Sequence, residues 1–132
     1  MKANGQAVPV QGAASTAYIN RDTNELYLTL NTTNGTPVIF DLWEFKQAPG
    51  RFAFHDARSP SGLLYKHVVH GQLTPFTTRA CGSTPTWALE ITAYDPAQQT
   101  IAGTFRGTVC SDPGQRVALT EGRFHRPFTL SP

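Results

Sequence analysis

Apolar and polar side chains alternate with a period of two over most of this chain. No segment of useful length shows the 3.6-residue period of an amphipathic helix. Between residues 24 and 31, Leu26, Leu28 and Leu30 fall on one face and Tyr27 and Thr29 on the other. The turn Asn20-Arg21-Asp22-Thr23-Asn24 pairs this strand with residues 14–20 as a hairpin. After a sharp Asn34-Gly35 turn, residues 36–45 are apolar on both faces, as expected of a strand covered on both sides. Ala48-Pro49-Gly50 and Ser59-Pro60-Ser61-Gly62 break the chain around strands at 51–57 and 63–70. Residues 73–85 hold Pro75, Cys81, Gly82 and Pro85, lack periodicity and read as a long loop.

The last third is the most regular. Trp87, Leu89, Ile91 and Ala93 share one face, and Ile101, Gly103, Phe105, Gly107 and Val109 share one face of the next strand. The final strand begins with Val117 and Leu119 inward but ends on Phe124, of opposite parity. A β-bulge at Glu121-Gly122, with Gly122 at positive φ, accounts for the flip. These three strands predict an antiparallel meander. Gly103 and Gly107, on its apolar face, make room for a large ring, with Trp87, Trp43 and Phe124 as candidates. Turn signals recur about every 8–12 residues between short Thr- and aromatic-rich strands. The chain therefore reads as all-β, a single antiparallel β-sandwich or flattened barrel of about eight or nine strands. No linker or internal repeat divides residues 1–132, so they form one domain.

Composition narrows the function classes. Charged residues are 15% of the chain, against a usual ~25%. That argues against a coiled coil, a solvated helical bundle and charge-driven disorder. The net charge of +2 comes from interleaved signs with no basic run, so nucleic acid is not an expected partner. No apolar stretch is long enough to be a membrane-spanning helix. Cys81 and Cys110 match no metal-binding spacing. A disulfide between them would close a loop of roughly 30 residues, contribute about 3–4 kcal/mol and imply an oxidising compartment. The alternative is a pair of reduced, buried thiols.

Candidate chemistry is sparse. Among His55, His67, His70 and His125, His67 and His70 lie three apart and point to opposite faces of a strand, so they cannot chelate jointly. No metal site is expected. There is no G-x-S-x-G elbow and no glycine-rich phosphate loop opening a helix, so no cofactor is expected and no catalytic residue is assigned. Asp41 and Glu90 interrupt strands among apolar or neutral neighbours. Each would acquire a raised pKa unless paired, and cross-strand pairing with Arg106 or Arg123 is the expected outcome. Aromatic residues are more numerous than a small core needs, and Tyr27 and Tyr65 are the ones expected to face outward. The expected ligand-binding set is Tyr27, Trp43, Arg51, Tyr65, His67 and Arg106: rings for stacking, with polar groups to read hydroxyls or a carboxylate.

Several short motifs carry a family likeness. Ile101-Ala102-Gly103-Thr104-Phe105, followed by Val117-Ala118-Leu119-Thr120-Glu121-Gly122-Arg123-Phe124, resembles the closing I-x-G-T-F … G-x-F signature of small secreted Bacteroidota lipoproteins with a domain of unknown function. Ala3-Asn4-Gly5-Gln6 is similar to that family's opening. Pro49-Gly50-Arg51-Phe52 is similar to its G-T-Y element, with Arg51-Phe52 replacing Thr-Tyr, and Ile91-Thr92-Ala93-Tyr94-Asp95 also fits. The resemblance implies an export leader, a lipidated cysteine upstream, and a β-rich domain in the periplasm or on the outer-membrane surface of a Gram-negative bacterium. Contact with the membrane would be through the lipid anchor alone. The expected function is non-catalytic binding of a glycan, a small apolar molecule or a protein partner. The alternatives are an assembly subunit using exposed strand edges and a small hydrolase or lyase using a carboxylate with a histidine.

Overall fold

In the computed structural model the alternating pattern becomes eleven β-strands. The structure describes residues 1–12, 15–33, 35–43, 45–54, 61–81, 87–111 and 114–130, without the side chains of residues 53, 54 and 87. The strands are β1 (Lys2–Ala3), β2 (Gln6–Ala7), β3 (Thr16–Asn20), β4 (Glu25–Leu30), β5 (Val38–Leu42), β6 (Gly50–Phe54), β7 (Gly62–Val69), β8 (Gln72–Thr77), β9 (Trp87–Asp95), β10 (Thr100–Cys110) and β11 (Arg116–Leu130). Nine have five residues or more. The other two are the arms of a hairpin turned at Asn4-Gly5, both at positive φ, the geometry that suits the right-handed twist of paired strands.

Hydrogen bonding links all eleven strands in the order β2-β1-β11-β3-β4-β5-β7-β8-β10-β9-β6, and a further β10–β11 pairing closes a ring. The ring is flattened into two layers. One is β3-β4-β5-β7-β8; the other is β2-β1-β11-β10-β9-β6. They join at two corners. At one, the end of β11 turns from β10 to β3, pairing Phe128 with Ala17 in parallel. At the other, the end of β10 meets β8 at Cys110 and Thr77. The sheet is therefore mixed rather than purely antiparallel. The parallel pair arises because β11 is long enough to outrun its hairpin partner and cross to the other layer.

The core lies between the layers. Leu26, Leu28 and Leu30 from β4, Phe40 from β5 and Phe76 from β8 face Leu89, Ile91, Phe105 and Val117. The rings of Phe40 and Phe105 meet edge to face across the gap, with centroids 4.7 Å apart. Strand β5 is buried on one side only. Val38, Phe40 and Leu42 point inward, whereas Asp41 is half-buried and Trp43 exposed on the outer side. Its apolar outer residues come from a surface patch, not from a second covering layer.

Two bulges set the parity of the meander. Between β10 and β11, Phe105 pairs with Gly122 and Gly107 with Leu119, so Arg106 opposes both Thr120 and Glu121. The residue at positive φ is Glu121 (φ 55), not Gly122. Gly122 serves another purpose: the Phe105 ring lies where its Cβ would be. A second bulge falls at Thr92, because Ala102 pairs with Ala93 and Gly103 with Ile91. It leaves Ala93 exposed and turns Tyr94 inward to stack on Phe128, with ring centroids 5.4 Å apart. Of the three rings named for the space over Gly103, Phe124 takes it, its Cζ 2.7 Å from where a Cβ would stand.

The segment read as a long loop contains β8, which forms a hairpin with β7 through His70-Gly71, both at positive φ. Pro75 obscured it. The ring is tolerated because β8 pairs with β7 on one edge and on the other touches β10 only at Thr77, which leaves Pro75 without a ladder partner there. A 3-10 turn at Arg79–Cys81 follows and brings Cys81 onto Cys110, to which it is disulfide-bonded across a separation of 29 residues. The bridge sits beside the β8–β10 corner and fastens the layers together where only one residue pair joins the strands.

Candidate functional site

The six residues expected to bind ligand fall in three places. Tyr65 and His67 lie on the inner side of β7. Tyr65 is fully buried, contrary to the expectation that it faces outward, because it shares its parity with Leu63 and pairs with Val38 and Phe76. Its hydroxyl donates to Thr36 Oγ1 at 3.4 Å, and Thr36 Oγ1 lies 2.8 Å from Thr32 Oγ1. The half-buried His67 ring packs against Tyr65 and edge-on to Phe76, with centroids 5.6 and 5.7 Å away. These side chains pack on one another at the end of the core.

Arg51 and Arg106 meet on the outer face of β6-β9-β10-β11. Arg51, Glu90, Thr104 and Arg123 form one row across the four strands. Together with Ala88, Arg106 and Glu121 they line a groove of about 530 Å³, which continues into a shallower depression of about 420 Å³ beside Thr92 and His125. Glu90 does form the expected cross-strand ion pair. Its partner is Arg51, at 3.5 Å, rather than Arg106 or Arg123, because β6 lies directly beside it on β9.

Tyr27 and Trp43 belong to the outer face of the opposite layer. In the row Tyr18–Tyr27–Asp41 across β3, β4 and β5, the tyrosine rings are tilted at 39° with centroids 6.3 Å apart. Tyr18, Tyr27 and Trp43 are 37%, 39% and 42% exposed. Beside them Glu25 is only 5% exposed. Glu25 Oε2 and Asp41 Oδ1 are buried and meet no hydrogen-bond donor among the described residues. Burial first, then a hydrogen bond to Glu25 and its charge, push Asp41 up from 3.8 to about 6, against a hydrogen bond from Trp43 that favours the carboxylate. A hydrogen bond to Glu25, burial and the charge of Asp41 push the Tyr27 phenol up to about 12. The Asn20 side chain accepts from the backbone N–H groups of Asp22 and Thr23 in its own turn.

The sequence reading missed Glu25. Its outward parity beside Tyr27 looks like an ordinary solvated strand position, yet it is buried. Glu25 and Asp41 act on each other as neighbouring acids. The structure also keeps His67, on an inner face, apart from Asp41, on an outer one. Among the described residues no three His, Cys, Asp or Glu side chains gather as metal ligands; His55 and Asp56 lie outside those residues. No helix of the described residues is long and apolar enough to cross a membrane. No known family model, curated protein or solved structure matches the chain.

Proposed function

We propose that this protein is a non-catalytic, extracytoplasmic binding domain that holds a glycan on the outer face of β3, β4 and β5. One observation carries the reading: three partly exposed rings, Tyr18, Tyr27 and Trp43, lie together on one sheet face. The C–H faces of a sugar stack on rings of this kind. Strand-borne rings also lose little freedom on binding. The Cys81–Cys110 bridge is compatible with an oxidising compartment, and the lipoprotein likeness of the closing strands supports the same location.

The test is titration with a panel of neutral and acidic oligosaccharides, followed by tryptophan fluorescence and calorimetry. A saccharide that binds is expected to lose about tenfold or more in affinity with Trp43→Ala or Tyr27→Ala, the equivalent of ~1.4 kcal/mol for each ring. Absence of saturable binding across the panel, or full affinity in both variants, would overturn the proposal.

A further inference from the structure

The groove on the opposite layer has its own charge balance. Five charged side chains line it: Arg51, Arg106, Arg123, Glu90 and Glu121. Each acid is already partnered, Glu90 by Arg51 at 3.5 Å and Glu121 by Lys2 at 3.2 Å. Arg106 and Arg123 make no ion pair with any described residue. Two positive charges are left over on neighbouring strands. By ordinary sheet spacing the backbones of these diagonal neighbours stand roughly 7–8 Å apart, within reach of one ligand group for side chains of this length.

The local backbone maintains this pairing. Arg106 opposes the two-residue bulge at Thr120 and Glu121, and a bulge of this kind re-aims side chains next to it. Glu121, at φ 55, forms its ion pair with Lys2 on β1 rather than with Arg106. Thr104 is exposed, pairs directly with Arg123 and shares its face of β10 with Arg106, two residues along. Ala88, opposite Arg106, and Thr104, opposite Arg123, are the short side chains of the groove.

We infer that this groove is a second binding site, for a ligand carrying an oxyanion (carboxylate, sulfate or phosphate), gripped by Arg106 and Arg123 with the Thr104 hydroxyl donating beside Arg123. Guanidinium groups suit this task because their fixed fork of donors matches two oxygens of one anion. The site lies on the other face of the sandwich from the aromatic patch and does not depend on the glycan reading.

Inorganic phosphate, sulfate and citrate, titrated at about 0.15 M ionic strength, where the screening length is about 8 Å, into protein labelled for amide NMR, test this and distinguish the three oxyanions. Saturable shifts confined to β9, β10 and β11 are expected with at least one probe. The double variant R106Q/R123Q should weaken that binding by about tenfold or more. The charge-matched control K46Q/K66Q should leave it within about twofold, since screened charges at a distance contribute little. Thermal melts of all variants establish that they fold. No saturable shift with any probe, undiminished binding in R106Q/R123Q, or an equal loss in the control would each overturn the inference.

Discussion

At Asp41 the physical chemistry reduces to one proton. Its carboxyl titrates near 3.8 in an ordinary setting and near 6 in the folded chain, where burial and Glu25 disfavour its charge. Between those two values the native state holds more protons than the unfolded state, so this residue's contribution falls as pH rises through the window and stays unfavourable above it. Asp41→Asn is expected to match the wild-type melting temperature at pH 4 and exceed it at pH 7. Melts of both proteins from pH 4 to 7 would show the gap opening across that range; parallel curves would contradict the assignment. The sequence showed that Asp41 sits among apolar neighbours and would shift unless paired. It did not show that the neighbour would be another acid, because that depends on which strand lies beside β5 and in what register.

Among the elements, the meander was the most legible. Strict alternation in β9, β10 and β11 located all three strands, and the parity break between Leu119 and Phe124 located a bulge without coordinates. The roles of its two residues were reversed, however. Glycine is the usual choice at positive φ, yet here Gly122 is needed for the Phe105 ring and Glu121 takes the left-handed conformation. Glutamate tolerates this at a cost, and a β-branched side chain does so far less readily. Glu121→Val is expected to lose about 1–2 kcal/mol in urea unfolding, whereas Glu121→Gly should stay within roughly 1 kcal/mol of wild type. Equal losses would mean that the Lys2 ion pair, not the backbone, sets the preference. The bulge at Thr92 left no comparable sign, since Ala93 is too small for its parity to be informative. Strand β8 was hidden by Pro75 for a related reason: whether proline fits a strand depends on which of its edges is paired.

For the whole molecule, the decisive features are the two corners. The β8–β10 corner rests on a single residue pair, Thr77 with Cys110, with the disulfide next to it. In the chain-entropy treatment a loop of this length stabilises by about 3–4 kcal/mol. Urea unfolding of C81S/C110S, or of wild type under reducing conditions, should show a loss of that order. Amide exchange should rise first in β8 and the end of β10. Exchange spread evenly over both layers would mean that the bridge acts on the unfolded chain alone and does not hold the corner.

The sequence alone determined that this chain is all-β, which face of β4 and of most of the meander is apolar, and that two distant cysteines were available to bond. These properties follow from the two-residue period of an extended backbone and are local. The tertiary structure alone decided that the sheet closes through a parallel β3–β11 pair, that Tyr65 faces inward while Trp43 faces outward, and that the six expected ligand-binding residues separate onto two opposite surfaces and the core. Those outcomes depend on strand order and register, which set the neighbours of each side chain and are not encoded in any single strand's pattern.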